Sequence, residues 1–373
     1  MSNTRRDDST ASERTRASDP TELSPATAVE MWIDDESVRW SSATERDYLK
    51  NMRRWLLWCD SESVEEVGEL SGWDVRLFKR ARADDENRDG EKIAPTTLRS
   101  SMMTLKQLID WLVSVDAVEP ALSDKAADAI PVLSDEDATD DTMWPIEEAR
   151  QAITFYRDSV AHRATANHAL IEVFIHVGCR RGGLRALDLR DYDSGTRTLR
   201  FVNRPDTDTR LKRGNDGERA VAVSPQVSEV LDEYIARERV EKTDDYGREP
   251  LFCFRQGRPS VSTIQSRVYL ATQPCVYSTC PHDEHPDECK FRARNHASKC
   301  KSSFSPHPLR TTSITWHRDQ RVPMEKTAER VNATADTIEK YYDKADKFDR
   351  VDRRRPTTGR LDITNEDSKG DSE

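Results

Sequence analysis

The sequence predicts a mainly α-helical protein with a small antiparallel sheet, divided into two domains. Three observations support this prediction. The chain has 373 residues, more than the roughly 150 that are usual for one domain. Apolar side chains recur at spacings of three and four, as in amphipathic helices. Two short apolar runs near the middle of the chain flank a polar, glycine-containing stretch, which is typical of paired strands.

A helical domain is predicted at residues 21–120, after a disordered tail at residues 1–20 that is rich in Ser, Thr, Asp and Arg. Residues 42–45 read as a capping box. One helical face then carries Tyr48, Met52, Trp55 and Leu56. A second amphipathic helix carries Leu98, Met102, Leu105, Ile109 and Leu112. Six of the eight Trp lie between Trp32 and Trp111, which indicates a packed core here.

Pro120 just before the segment, Pro131 within it and an acidic run predict a linker at residues 121–142. The second domain is predicted at residues 143–355, followed by a disordered tail at residues 356–373. Its expected helices cover residues 146–156, 168–177 and 227–235, and helices are expected to dominate from residue 260 to residue 349. Its expected strands cover residues 198–203, 219–223 and 251–254.

The charge composition bears on both environment and partners. The chain has 58 Lys and Arg against 69 Asp and Glu, a net charge of -11, and 43 of its cations are Arg. Abundant Asp with little Lys is typical of a protein from a high-salt cytoplasm, although an ordinary acidic protein is the alternative. Residues 286–360 nevertheless hold 18 Lys and Arg against 11 Asp and Glu. The sequence has no apolar run of about 20 residues and no signal peptide, so we expect a cytoplasmic location.

Three separated motifs indicate the function. The first reads VGCRRGGLRALDLR at residues 177–190, the second reads HPLR at residues 307–310, and the third is Asn332 followed by DTIEKYYD at residues 336–343. Together they resemble the tyrosine recombinases, or phage integrases, and particularly the Xer-like integrases of haloarchaea, over residues 25–355. The resemblance implies a helical SAM-like core-binding domain that clamps DNA and a mixed α/β catalytic domain. It also implies double-stranded DNA as partner and a homotetramer on paired DNA sites.

The two motif arginines suit chemistry at a phosphodiester. Guanidinium forks bind the non-bridging oxygens of a phosphate, on which charge develops during transfer, and Arg180 and Arg310 fit this role. A Tyr nucleophile keeps the bond energy as a phosphotyrosyl ester, so that no cofactor is needed for rejoining. The resemblance implies a 3′-phosphotyrosyl intermediate, with His307 assisting proton transfer and Lys212, between the two predicted strands, protonating the leaving oxygen. Asn332 stands where the family carries a His or Trp.

Two alternatives remain open in the third motif and in the activity. Tyr341 and Tyr342 are adjacent, and on a helix only one of them can face the phosphate; the Tyr-Asp ending favours Tyr342. The chain also departs from the family pattern at Gly183, Thr311 and Asn332. We therefore predict a site-specific recombinase that cuts and rejoins DNA. The alternative is a catalytically weakened, sequence-specific DNA-binding protein on the same fold.

A cluster of cysteines predicts a structural zinc site. Four of the seven cysteines fall within 26 residues of a chain without a secretory signal. In a reducing cytoplasm such thiols suit Zn²⁺ better than disulfides. The predicted ligands are Cys275, Cys280, Cys289 and Cys300, with His282 as a substitute. Separate thiols are the alternative, and a zinc-dependent interaction module would require this cluster to be the functional centre.

Overall fold

The computed structural model describes residues 19–87, 90–134, 137, 141–342, 347–355 and 358. The chain divides into two compact units, residues 1–139 and 140–373. The tails predicted at residues 1–20 and 356–373 lie almost wholly outside the described residues. Within those residues, no helix combines the length and the apolar character needed to cross a membrane.

The first unit is helical, as predicted. Its helices are α1 (Pro25–Glu36), α2 (Ser42–Ser61), α3 (Gly72–Ala83), α4 (Pro95–Ser114) and α5 (Ala121–Ala129). The tryptophans of α1, α2 and α4 line its core together with Leu105, Leu108 and Leu112. Trp73 is the exception, because it points outward from the start of α3.

Two predictions for this unit need correction. The side chain of Ser41, not Ser42, caps α2 by accepting a hydrogen bond from the backbone N–H of Thr44 at 3.2 Å. The linker prediction is wrong for its first part, because residues 121–129 form α5, whose Leu122, Ala126 and Ala129 are buried in the core of the first unit. The prolines at 120 and 131 flank this helix rather than mark an irregular segment.

The second unit combines further helices with a three-stranded sheet. The helices are α6 (Ile146–Asp158), α7 (Ala166–Val177), α8 (Arg181–Ala186), α9 (Pro225–Arg237), α10 (Val261–Ala271), α11 (Pro274–Tyr277), α12 (Pro306–Asp319), α13 (Met324–Val331), α14 (Ala335–Tyr341) and α15 (Lys347–Arg354). Most residues of α7 are buried, so this helix forms the centre of the unit. Between α11 and α12, residues 278–305 contain only two short 3₁₀ turns instead of the predicted helix.

The predicted pair of strands is confirmed. Strands β1 (Tyr192–Asp193), β2 (Thr198–Phe201) and β3 (Arg219–Ala222) form an antiparallel sheet in the order β1-β2-β3. Leu199 pairs with Val221, and a loop of residues 202–218 joins β2 to β3. The strand predicted at residues 251–254 is wrong, because the described chain forms only isolated bridges there, which join Asp188 to Pro250 and Phe254 to Gly257.

A buried ion-pair network supports this sheet from the side of β1. The Asp188 carboxylate is within 3.6 Å of Arg190, Arg204 and Arg248 and also contacts Arg258. Further carboxylates pair with the same arginines, as in the 2.6 Å contact of Arg204 with Asp191. Buried guanidiniums are tolerated here because each one faces a carboxylate.

A left-handed turn ends α7. Gly178 has φ +65°, and a Cβ added there would lie 2.9 Å from both Ser313 Oγ on α12 and Val331 Cγ1 on α13. Two constraints therefore require glycine at position 178: the left-handed backbone conformation and the close approach of two other helices.

Two buried histidines join the end of α7 to its neighbours. The Nε2 of His176 accepts a hydrogen bond from the Ser224 backbone N–H at 3.1 Å, and the Nε2 of His317 lies 3.1 Å from the His176 carbonyl oxygen. Burial, together with the nearby Arg330 guanidinium, lowers the pKa of each imidazole to about 4.

Replacing Gly178 by Ala should destabilise the second unit strongly, and Gly247→Ala serves as a matched control. Gly247 has φ +70° with no atom within 4 Å of an added Cβ, so its substitution adds only backbone strain. Overpacking at position 178 should cost about 1–3 kcal/mol more in the free energy of unfolding, measured by urea denaturation. Equal losses in the two variants would show that the helices can separate to admit a methyl group.

Acid should destabilise the second unit through His176 and His317. The unfolded chain takes up these protons below about pH 6.5, whereas the folded protein takes them up only near pH 4. The free energy of unfolding therefore decreases as the pH falls from 6.5 towards 4, by about 1–2 kcal/mol per histidine between pH 7 and 5. Urea denaturation at both pH values should show a smaller loss in His317→Gln. His285 is exposed, so His285→Gln should lose as much stability on acidification as the wild type. An identical loss in the wild type and in both variants would show that His317 does not cause the acid sensitivity.

Candidate functional site

The turn after Gly178 places Arg180 at the start of α8. Its Nη1 donates a hydrogen bond to the Asn332 carbonyl oxygen at 2.7 Å. Burial lowers the pKa of Arg180, and the nearby guanidiniums of Arg310 and Arg213 lower it further. This arginine therefore sits in a markedly positive environment.

Arg310 is the most buried cation of the site. It lies in the first half of α12 with a relative exposure of 1%. Its Nη1 donates to the carbonyl oxygens of Gly178 and Val331, the latter at 2.6 Å. Its Nε and Nη2 have no hydrogen-bond partner, and no carboxylate among the described residues forms an ion pair with it. Unpaired buried donors on a charged group are costly, so this arrangement suits an incoming anion.

The two candidate tyrosines have different surroundings. Tyr342 is 7% exposed, its ring centroid is 5.5 Å from that of His307, and Arg310 Cζ is 5.1 Å from its ring centroid. Thr315 Oγ1 donates to the Tyr342 carbonyl oxygen at 3.0 Å, which fixes the end of α14 against α12. Tyr341 is 36% exposed, and its ring lies near Lys340 instead. The structure thus brings Tyr342, and not Tyr341, to the two motif residues of α12.

Lys212 is not brought to these residues. It is exposed in the turn at residues 211–214 of the β2–β3 loop and has no hydrogen bond or ion pair within the described part of the chain. Its neighbour Arg213, which the sequence suggests only as a flanking cation, is close enough to Arg180 to lower its pKa.

Asn332 contributes backbone geometry to the site. It ends α13 in a left-handed conformation with φ 53° and ψ 62°, which Asn tolerates better than most residues. Its carbonyl oxygen accepts the bond from Arg180. Its Nδ2 faces the β2–β3 loop, where a Cβ added at Gly217 would lie 3.0 Å away.

The two other departures from the family pattern also have defined surroundings. Gly183 lies on α8, where an added Cβ would meet Phe201 Cδ1 at 3.5 Å. Thr311 is buried on α12, and its Oγ1 donates to the His307 carbonyl oxygen at 3.3 Å. Neither position adds a charged group to the site.

Sequence reasoning missed two further arginines. Arg219 on β3 lies close to Arg180, to Arg310 and to Arg330 on α13, and burial together with these neighbouring cations lowers the pKa of Arg219 to about 10. Arg330 donates to the carbonyl oxygens of His176 and Ala222. In a chain with 43 arginines, no local pattern distinguishes these two, because only the tertiary fold brings them together.

The cysteines of residues 275–300 are free thiols. Burial raises the pKa of Cys275, and the nearby Cys280 and Cys300 act in the same direction. His282 Nε2 lies 3.0 Å from Ser302 Oγ, two residues beyond Cys300. Among the described residues, no group of three or more His, Cys, Asp or Glu side chains has the spacing of a metal site.

Comparisons with known proteins address the fold. No protein-family model matches the chain, and no curated protein matches it. Several solved structures do match the chain. The Tn1549 transposon integrase in complex with a circular intermediate DNA is 14% identical, with a TM-score of 0.60 over 90% of this chain and 99% of that one. The XerH site-specific recombinase, bound to a palindromic difH substrate in a post-cleavage complex, is 14% identical, with a TM-score of 0.57 over 90% and 84% of the two chains.

A third structure agrees with these two. The lambda integrase dimer bound to a COC′ core site is 11% identical, with a TM-score of 0.54 over 90% of this chain and 78% of that one. All three are similar in fold at low sequence identity, and each match covers 90% of this chain. The chain therefore has the fold of the tyrosine recombinases.

Proposed function

We propose that this protein is a site-specific DNA recombinase that cuts and rejoins DNA strands through a covalent tyrosine intermediate. The observation that carries the proposal is the placement of Tyr342 beside Arg310, a buried guanidinium with two unpaired N–H groups. A phosphate held by Arg310 and Arg180 would satisfy those donors and present its phosphorus to a tyrosine hydroxyl.

The proposed step is an in-line displacement. The Tyr342 oxygen attacks phosphorus, a P–O bond to the tyrosine forms, and the bond from phosphorus to the 5′ oxygen breaks. The phosphate remains on the tyrosine as a 3′-phosphotyrosyl ester, and the released strand leaves as a 5′-hydroxyl. Attack by a 5′-hydroxyl on this ester reverses the step, so rejoining needs no external energy source.

Two residues are proposed for proton transfer. His307, whose ring is close to that of Tyr342, assists removal of the tyrosine proton. Lys212 donates a proton to the leaving 5′ oxygen. Because Lys212 is exposed on its loop, this role requires its side chain to reach the bound DNA.

Duplex DNA is the proposed partner, and four copies would assemble on two paired sites. The three structural neighbours are described as complexes with DNA or with a DNA site. The local excess of cations at residues 286–360 supports the same partner despite the net charge of -11.

A second candidate function keeps DNA binding without chemistry. It is favoured by Gly183, Thr311 and Asn332, the three positions at which the chain departs from the family pattern. Under this alternative the protein would recognise a site and regulate access to it.

Covalent trapping on a nicked duplex should discriminate the two functions. The duplex is one that the purified protein enriches from a random-sequence library, and the nick lets the released strand diffuse away. Wild-type protein should form an adduct, and Tyr342→Phe should abolish it, because the phenyl ring has no nucleophile. Arg310→Lys should slow it by about 10²–10³-fold, as expected when a transition-state contact is lost.

Tyr341→Phe is the matched control and should form the adduct at close to the wild-type rate. Loss of the adduct in Tyr341→Phe alone would transfer the nucleophile to Tyr341. Tight binding of the enriched duplex without any adduct in the wild type would favour the regulatory function.

We also propose a structural zinc ion in residues 275–300, held by Cys275, Cys280, Cys289 and Cys300 with His282 as a substitute. Support comes from the electrostatic proximity of three of these thiols and from the scarcity of buried apolar side chains in this segment. A metal would stabilise a segment that has little core of its own. Binding would have to draw the thiols closer together than they are here.

Zinc content tests this proposal directly. Protein purified from zinc-supplemented medium should contain about one zinc per chain by mass spectrometry. The double variant Cys275→Ser/Cys280→Ser should lose it, and Cys253→Ala, a buried thiol outside the segment, should keep it. Absence of stoichiometric zinc in the wild type would leave the cysteines as separate thiols.

A further inference from the structure

Arg219 combines two hydrogen bonds to main-chain carbonyls with a contact on the face of an aromatic ring. It is the first residue of β3. Its Nε donates to the Arg330 carbonyl oxygen at 2.8 Å, and its Nη1 donates to the Gly217 carbonyl oxygen at 3.0 Å. Its guanidinium carbon lies 4.0 Å from the ring centroid of Phe201 on the neighbouring strand. The planar group is thus fixed on one face and at two of its nitrogens.

The two acceptors belong to different parts of the site. Gly217 ends the 3₁₀ turn that follows Lys212 in the β2–β3 loop. The Arg330 carbonyl precedes Asn332 by two residues, and the Asn332 carbonyl in turn accepts from Arg180. Asn332 Nδ2 also faces Gly217. Arg219 therefore joins the loop that carries Lys212 to the turn that holds Arg180.

The guanidinium of Arg219 carries its positive charge at a place where the charge lowers the stability of the fold. Burial and the neighbouring Arg310, Arg180 and Arg330 all disfavour the charged form of Arg219. No carboxylate within the described residues forms an ion pair with it. A neutral side chain would remove this repulsion, so stability alone does not account for an arginine here.

We propose that Arg219 is a positioning residue of the phosphate site, which fixes the Lys212 loop against the Asn332 turn. Lys212 and Arg180 are then held so that both contact the same phosphate. The proposal rests on the proposed recombinase function. Any cation could fill a general stabilising role, whereas this positioning role requires a planar guanidinium with N–H donors in fixed directions.

The test compares Arg219→Lys and Arg219→Gln with Arg239→Lys and Arg239→Gln. Arg239 is also buried and donates its Nε to a main-chain carbonyl, that of Pro250 at 3.0 Å, and it contacts none of the site residues described above. Both Arg219 variants should slow adduct formation on the nicked duplex by about 10–100-fold, as expected for a small misplacement of a catalytic group. Their affinity for the intact duplex should stay within about threefold of wild type, because Arg219 acts through other residues.

Amide hydrogen exchange provides a readout independent of activity. Exchange at residues 211–218 should accelerate in Arg219→Lys and stay unchanged in Arg239→Lys. A wild-type rate of adduct formation in Arg219→Lys would overturn the proposal, since charge alone would then suffice. Equal losses of rate in the Arg219 and Arg239 variants would also overturn it. Absence of an adduct in the wild type would refute the recombinase function, and the exchange result would still decide whether Arg219 holds the loop.

Discussion

The site depends on the close approach of three chain segments at Gly178. The end of α7, the middle of α12 and the end of α13 meet where the glycine has no side chain. Its carbonyl accepts a hydrogen bond from Arg310, and Arg180 follows two residues later. A larger residue at this point would separate both arginines from each other and from the Asn332 turn. The geometry of the cations is therefore set by packing before any ligand is present.

The second unit uses arginine in two electrostatic ways. Beside β1, Arg204, Arg248 and Arg258 surround Asp188, and each buried guanidinium has a carboxylate in contact. Around Gly178, the guanidiniums contact carbonyl oxygens, and no carboxylate among the described residues pairs with Arg310 or Arg219. In the first arrangement each of these cations has an anionic partner within the chain, whereas the second leaves positive charge that an anion from outside the chain could pair with. Pairing with carboxylates, more than the number of arginines, distinguishes the Asp188 cluster from the candidate site.

The parts of the fold that could be predicted from the sequence are those set by local periodicity. Helices α2 and α4 and the pairing of β2 with β3 follow from apolar spacing. Helix α5 has no clear sequence signature, because its apolar face is short and prolines flank it. The extended run at residues 251–254 has the composition of a strand but has no partner beyond isolated bridges. These errors arise where tertiary contacts, not local preference, decide the structure.

In the candidate site, too, local motifs predict some residues, whereas others depend on tertiary contacts. The motifs single out Arg180, His307, Arg310 and Tyr342, and the structure brings them together. The place of Lys212 between two strands follows from the sequence, but its loop is held by contacts that the sequence does not reveal. The contribution of Arg219 is invisible in sequence, since its acceptors lie 2 and 111 residues away.

The unpaired N–H groups of Arg310 have a consequence for the stability of the second unit. A buried cation with orphan donors lowers stability, and an apolar side chain of similar length at the same position would usually raise it. A bound anion would supply acceptors for these N–H groups, so anion binding should raise the free energy of unfolding of the second unit, whichever of the two proposed functions the protein serves.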